Sequence, residues 1–591
     1  MNLLPVITLV LIVFPLCTFC QFPAICNTPE NLQTKTCCPN NCGGPTRGSC
    51  DNFTEVVRAQ WEASNFTITN ILRNAPNEPQ KGTADARYLW PTVVFENVCN
   101  CSNNFGGYDC GECDFGWTGS NCDTRKPQVV RRHFNSLTQT EKDNFVNATR
   151  ELKNEMGIWS VIVGEPSTYT SGTVTLQNVS TYNFFIFLHN FIARDGTQAC
   201  QKVNKDNIVD FAHSGPSFPV WHRRYMLTVE KEFQRIMGND TFGFPYWQWE
   251  ENDMSPFTPE YFGVPANGFS PNAVNVSGSL VNPQDWNTIC DLSYWNSNLN
   301  CSDYWRPCNP ADDLALARPV QRGGGSSYLP NTVEVMISLA APSYDASNLN
   351  GDFIRDGPRT SFRSRLEGWN KICSAVNCVG GMDVDQQHMH NNVHVWVGGQ
   401  MDVVPAAVND PIFNLHHCNV DRIFESWLKQ YATVSFPNSE LLPAYAPITG
   451  GHPGHNRGDY IVPFLPLVTA GKQYAIAEEW GYTYDSLIPA NIDDDMITDC
   501  DVVAPGNNCP ICDANNTCID CTNQTCPVLI VAPIDSLVSD ILVTYGLGFG
   551  LGFGIPLFIA IGIIIAMAVT IIKSKSRGKA QSQSYEMSVK T

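Results

Sequence analysis

Whatever fold this chain adopts must bring scattered histidines together, and the stretch from His388 to Leu428 shows how. His390 and His394 stand four residues apart in HMHNNVHVWV. On a helix both imidazoles leave the same face, with Cβ atoms about 5–6 Å apart. No Pro interrupts the segment, and Val393, Val395 and Trp396 supply an apolar flank, so a helix is expected. A second helix start follows at Asn409-Asp410-Pro411, with Asp as N-cap and Pro as first helical residue. His416-His417 come about a turn and a half later. Two imidazoles from one helix and a third from the next make a site for one metal, which suits copper and zinc alike.

A second set lies upstream. His189 sits in the aromatic run TYNFFIFLHNF, and His213 and His222 follow in FAHSGPSFPVWHRRYMLTVEKEF, His222 at a helix start marked by Phe218-Pro219. Six of the eleven histidines fall into these two triplets. Any one alone reads more simply as a core or surface residue; two triplets point to a binuclear metal site. His416 is turned about 100° round the helix from His417 and is expected to be a neighbour of the site or a core residue. His388 fits one helix face with His394 poorly. His133, His452 and His455 are expected to be ordinary surface or loop histidines.

These residues resemble the two copper sites, CuA and CuB, of the tyrosinases. The resemblance is carried by His213-x8-His222 ending in WHR, Pro245-Tyr246-Trp247-Gln248-Trp249, the HNNVH pair and DPIFNLHHCNVDR. It covers nearly the whole chain and is nearest to the membrane-anchored animal members, which Gly454-His455-Asn456-Arg457 and the ten-cysteine amino-terminal region also resemble. The resemblance implies two copper ions, CuA on His189, His213 and His222 and CuB on His390, His394 and His417, with dioxygen as co-substrate. It further implies that Glu367 and Asn391 hold a water that deprotonates a phenol. Departures are visible too. Phe211 stands where fungal and molluscan members have a cysteine, so no thioether-linked histidine is expected, and Gln248 replaces the usual Asp of PYWDW.

The rest of the chain supplies the setting. Residues 1–20 read as a signal peptide, with a retained anchor as the alternative. Removing Cys17 and Cys20 leaves 23 of the 25 cysteines, a density that reads as disulfides. Ten lie between Cys26 and Cys122, where 99–122 resembles an EGF-like module. A zinc reading of Cys110-x-x-Cys113 is disfavoured in an oxidising compartment. Seven lie between Cys200 and Cys418, an odd number, and Cys418 is expected to be the unpaired one. Ten N-glycosylation sequons, at Asn52, Asn65, Asn100, Asn147, Asn178, Asn239, Asn275, Asn300, Asn515 and Asn523, all precede an uncharged stretch from Ile541 to Ile572. That stretch is long enough to span a bilayer, and Lys573, Lys575, Arg577 and Lys579 after it place the carboxyl terminus in the cytosol. A net charge of −20 argues against nucleic acid as a partner.

The expected architecture is mainly α: a helical-bundle dicopper domain preceded by a small disulfide-rich, EGF-like domain and followed by one transmembrane helix. The division is 1–20 signal peptide, 21–126 cysteine-rich domain, 127–492 dicopper domain, 493–540 cysteine-rich stalk, 541–572 transmembrane helix and 573–591 cytoplasmic tail. Helices are expected over LTQTEKDNFVNATRELKNEM, the His189 run, the stretch after His222, the HNNVH segment and the DPIF segment. Asp421 is expected to order the last of these, with a surface pair to Arg422 as the alternative. Arg457-Gly458-Asp459 spells an integrin tripeptide by chance. The tail carries no dileucine of the kind that sorts vertebrate members to melanosomes.

The function that the resemblance implies is a tyrosinase: ortho-hydroxylation of a small phenol such as tyrosine, and oxidation of o-diphenols such as L-DOPA to o-quinones, feeding melanin-type pigment. The setting implied is a single-pass type I protein of the secretory pathway, a melanosome-like organelle or the cell surface. Two alternatives belong to other classes: a zinc-binding tyrosinase-related protein acting on dopachrome-type quinones, or a dioxygen-binding or structural homologue without turnover. Related zinc proteins carry Leu-His and PYWNF where this chain has His416-His417 and PYWQW, which favours copper. The natural phenol and the oligomeric state are not legible in the sequence.

Overall fold

The computed structural model describes residues 22–63, 89–163, 175–193, 210–213, 215–258, 260–263, 286–290, 314–316, 318, 329–341, 343–345, 361–368, 389–432 and 454–489. The expected signal peptide, stalk, transmembrane segment and tail lie outside these residues, as do His388, His452 and the sequons at Asn65, Asn275, Asn300, Asn515 and Asn523. Among the described residues no helix is long and apolar enough to cross a membrane.

Ten helices are used below, in chain order: α1 Pro29–Thr34, α2 Thr54–Ala63, α3 Gln139–Asn154, α4 Thr181–Ile192, α5 Ser217–Met237, α6 Thr332–Leu339, α7 Phe362–Glu367, α8 Met389–Val397, α9 Ile412–Tyr431 and α10 Ala470–Gln473. Their ends follow local chemistry. Thr138 and Glu141 form a capping box at α3, Thr138 Oγ1 accepting from Glu141 N–H at 3.3 Å and Glu141 Oε2 accepting from Thr138 N–H at 2.8 Å. Ser180 caps α4. Gly238, at φ +59°, ends α5 in the left-handed conformation. Asp410 accepts the free Ile412 N–H at 3.1 Å as α9 begins.

α4 is apolar on nearly every side, and a helix of that kind belongs at the centre; α9 is buried with it although it carries polar and charged side chains. Eleven of the twelve residues of α4 are buried, as is all of Ile412–Leu428 in α9. α5 packs against α9, α3 and α10; α4 packs on α3 and on the 3-10 segment Val404–Asn409; α7 packs against α8 and α9. This is a mainly helical bundle with one continuous apolar core, an architecture that builds metal sites between facing helices.

A buried polar seam fixes α5 against α9. Asp421 of α9 accepts from Arg223 Nε at 2.5 Å and Arg131 Nη1 at 3.0 Å, and from the Tyr482 and Tyr484 hydroxyls, both at 2.6 Å. Arg223 Nη2 reaches Glu425 at 3.0 Å. Arg422 turns the other way, to Glu250 Oε1 at 2.8 Å and the Ser486 carbonyl at 2.7 Å. Asp421 is therefore the internal tie of this region and not a surface partner of Arg422. Such seams set register, because removing one partner strands a buried charge.

Two features were not expected. A three-stranded antiparallel sheet, Phe22–Pro23, Trp159–Val163 and Thr175–Val179, flanks the bundle, and Tyr482–Tyr484 runs parallel to Val129–Arg131. The amino-terminal region holds five disulfides, Cys26–Cys37, Cys38–Cys50, Cys42–Cys99, Cys101–Cys110 and Cys113–Cys122. They consume all ten of its cysteines, so neither Cys110 with Cys113 nor the close trio Cys38, Cys42 and Cys99 is a metal site. The region sits directly on the bundle. Lys231 Nζ of α5 meets Glu112 at 2.9 Å and Arg224 meets Asp114 at 3.5 Å. A Cβ on Gly116, at φ +80°, would stand 2.1 Å from the Glu479 carbonyl oxygen, so only glycine permits this approach.

Cys418 is free and buried, its thiol 3.4 Å from the Phe244 carbonyl, and burial pushes its pKa up. It is inert by environment. The described sequon residues Asn52, Asn100, Asn147, Asn178 and Asn239 are all exposed.

Candidate metal centre

The expected residues come together in two buried clusters, His189 with His213 and His222, and His390 with His394, His416 and His417. In each the candidate ligand atoms lie within 4.8 Å of one another. α8 presents His390 and His394 one turn apart, and α9 brings His417 against them. α4 and α5 supply His189 and His222, and the short connection before α5 supplies His213. The clusters adjoin: the His222 and His417 rings stack with centroids 4.1 Å apart and planes 11° from parallel. Phe413 fills the space between them, 4.9 Å from the His189 ring and 4.2 Å from the His417 ring.

In the second cluster three Nε2 atoms converge, His390 to His394 at 2.9 Å, His390 to His417 at 3.2 Å and His394 to His417 at 3.4 Å. Three imidazole nitrogens bound to one metal at about 2.0 Å lie roughly 3.3 Å apart, so this triangle has the size of a ligand set. The opposite ring edges explain why these nitrogens point inward. His390 Nδ1 lies 2.9 Å from Asn391 Oδ1 and 3.4 Å from the Glu367 carbonyl, and His394 Nδ1 donates to the Met401 carbonyl at 2.7 Å. A ring that donates from Nδ1 keeps its Nε2 lone pair for a metal.

The first cluster repeats the device. His222 Nδ1 donates to the Phe218 carbonyl at 2.8 Å, and His213 Nδ1 lies 3.0 Å from both oxygens of Asp210. His222 Nε2 and both nitrogens of His189 have no hydrogen-bond partner among the described residues. Buried polar atoms without partners are costly, and a cation among them supplies the missing partner. Burial holds His189, His222, His390, His416 and His417 well below the usual imidazole pKa, with the neighbouring histidines adding to it. Burial lowers His394 to about 4. All are neutral at pH 7, the state that binds metal. Six imidazoles in two adjoining sets, His213 among them beside the Asp210 carboxylate, fit a pair of copper ions, and the same donors accept zinc.

His416 is a neighbour of the site, as expected. It is wholly buried, its ring stacks on His390 at 5.0 Å, and neither of its nitrogens has a partner among the described residues. It is absent from the Nε2 triangle. Glu367 is buried at the end of α7, its carboxylate on Arg363 at 2.8 Å and its carbonyl facing His390. Asn391 Nδ2 has no partner among the described residues. Gln248 is half-buried, and the neighbouring Glu250 carries the buried carboxylate of that segment, bonding Asn419 at 2.7 Å and Arg422 at 2.8 Å on α9.

One expectation is corrected. His455 is not an ordinary loop histidine: it is buried, with Ser217 Oγ 2.6 Å from Nδ1 and the Asp210 carbonyl 2.6 Å from Nε2. His133, the other described member of that group, is half-buried on Asp253 at 2.9 Å. Asp210 was missed as well, although Asp three residues before His213 was visible as a side chain able to return to that imidazole.

Comparison with known proteins agrees with this geometry. Residues 179–430 match the common central domain of tyrosinase, a span that includes every histidine of both clusters. The chain is 32% identical over 487 residues to tyrosinase of Gallus gallus, covering 79% of this chain and 82% of that protein. The chain belongs to the tyrosinase family. Tyrosinase of Felis catus is also 32% identical, with the same coverage. The family's breadth shows in 5,6-dihydroxyindole-2-carboxylic acid oxidase of Homo sapiens, 30% identical over 504 residues and covering 81% of this chain and 86% of that protein. The two histidine clusters are thus those of a type-3 copper protein, with the donor sets of its CuA and CuB centres.

Proposed function

We propose that this chain is a tyrosinase in the full sense, hydroxylating a small phenol such as tyrosine ortho to its hydroxyl and oxidising o-diphenols such as L-DOPA to o-quinones. The observation that carries the reading is the pair of adjoining, buried imidazole sets. His189, His213 and His222 would hold one copper and His390, His394 and His417 the other. The copper pair, when bound, supplies the redox chemistry with dioxygen as co-substrate. The chain's own residues do the rest. Asn391, Met401, Phe218 and Asp210 orient the rings, and Phe413 and Phe218 keep the pair dry. Glu367, whose backbone carbonyl faces His390 while its carboxylate pairs with Arg363, and Asn391 would hold a water that takes the phenol's proton. The presence of His416-His417 supports copper over zinc.

The wider setting proposed is a type I membrane glycoprotein of the secretory pathway with a lumenal or extracellular catalytic body, serving melanin-type pigment synthesis. Five disulfides and exposed sequon asparagines support an oxidising, glycosylating compartment. The copper-loaded full-length protein is expected to form quinone from both L-tyrosine and L-DOPA, with a lag on tyrosine. Glu367→Gln is expected to slow tyrosine oxidation at least about tenfold more than L-DOPA oxidation, in line with the 10²–10⁴-fold range of general-base catalysis. Equal loss on both substrates would remove Glu367 from that role, and quinone from neither parent assay would contradict the enzyme reading.

A further inference from the structure

We propose that His455 is the residue that positions the connection carrying His213, locking that ligand toward His189 and His222 from a segment more than two hundred residues away. The assignment rests on the reading of His189, His213 and His222 as a copper site.

His213 is the one candidate ligand outside a helix, and its segment 210–216 must be held by other means. Asp210 does the local part. Its Oδ1 accepts the Ala212 and His213 N–H groups, both at 2.8 Å, while the carboxylate faces His213 Nδ1. Asp210 itself is held by His455, whose Nε2 lies 2.6 Å from the Asp210 carbonyl oxygen. A carbonyl can only accept, so Nε2 carries the proton. Nδ1 faces Ser217 N–H at 3.3 Å and Ser217 Oγ at 2.6 Å. The Phe211 carbonyl lies 2.9 Å from the same Ser217 Oγ, which has one proton to give. One imidazole thus bridges the two ends of the connection, Asp210 before His213 and Ser217 at the first turn of α5, the helix that carries His222.

The fit is close on both sides. A Cβ on Gly215 would lie 2.3 Å from His455 Nδ1, and one on Gly454, at φ +88°, would lie 2.4 Å from the Phe211 ring. The segment bearing His455 is itself anchored. Asp459 Oδ2 accepts the Gly454 N–H at 2.8 Å, the Asn456 N–H at 2.9 Å and the Asn456 side chain at 2.8 Å, and Trp221 Nε1 donates to the Val462 carbonyl at 2.6 Å. Asp459 is buried in this turn, so Arg457-Gly458-Asp459 is a structural corner and not a displayed tripeptide.

The test compares the full-length protein with His455→Phe, which keeps a ring but neither hydrogen bond, and His455→Gln, which keeps a donor and an acceptor. Each is titrated with Cu(II) alone, and copper per chain and the electron paramagnetic resonance spectrum are read beside circular dichroism. A coupled Cu(II) pair is silent in that spectrum, whereas a lone Cu(II) ion gives a signal. His455→Phe is expected to bind its second copper at least roughly tenfold more weakly, as loss of outer-sphere support does elsewhere, and to show a lone-ion signal. His455→Gln is expected to recover much of the loss. Two coppers held silently and as tightly as in the parent protein, or equal loss from both clusters, would overturn the proposal. Should His455→Phe not fold, Ser217→Ala decides it: weaker binding of one copper supports it, unchanged binding of both overturns it. A parent protein that holds no copper pair would instead overturn the reading on which the assignment rests.

Discussion

At the residue scale the sharpest distinction lies between His416 and His417, adjacent on α9 and both wholly buried. Only His417 contributes Nε2 to the triangle with His390 and His394; His416 packs its ring face on His390. His416→Leu is therefore expected to keep two coppers per chain, and His417→Leu to lose about one, as metal analysis of the purified variants would show. Loss of a copper in His416→Leu would make His416 a ligand. The i, i+4 pair and the helix-start signals made the histidine groups visible in the sequence, because such signals are local; the choice of six ligands came from the resemblance to the tyrosinases. His455 was not legible, because its partners Asp210 and Ser217 lie 245 and 238 positions away. The backbone carbonyls of Met401 and Phe218 leave no trace in residue type at all.

At the element scale α5 and α9 matter most, since they carry His222 and His417 and are joined below the site by Asp421. Two guanidiniums, Arg131 and Arg223, share that one carboxylate in a wholly buried setting, and the pairing holds Asp421 below the usual carboxylate range against the opposing effect of burial. Asp421→Asn removes the carboxylate the two share, leaving Arg131 on Glu230 and Arg223 on Glu425, and breaking a buried pair costs up to about 3–5 kcal/mol. Urea unfolding followed by tryptophan fluorescence is expected to show a midpoint shift of that size. A midpoint unchanged from the parent would mean that the seam contributes nothing to holding the two helices. The helices themselves were foreseeable, α4 from its apolar aromatic run and α9 from Asp410-Pro411. The sheet of Phe22–Pro23, Trp159–Val163 and Thr175–Val179 was not, because short strands paired with distant segments carry almost no local signal.

At the scale of the whole molecule the disulfide-rich region is a buttress to the bundle. Its Asp114 and Glu112 pair with Arg224 and Lys231 on the helix that carries His222, and its backbone at Gly116 lies against Glu479. The cysteine count foretold disulfides but not their pairing or their docking face, which depend on how distant segments fold together. The metal pair is where all scales meet: ring nitrogens oriented by carbonyls, helices held by a buried seam, and two clusters set side by side. X-ray absorption at the copper edge of the loaded protein tests that meeting most directly. The account predicts imidazole nitrogens at about 2.0 Å and a second copper at roughly 3.5–4 Å. A spectrum with no copper neighbour, at two coppers bound per chain, would contradict it.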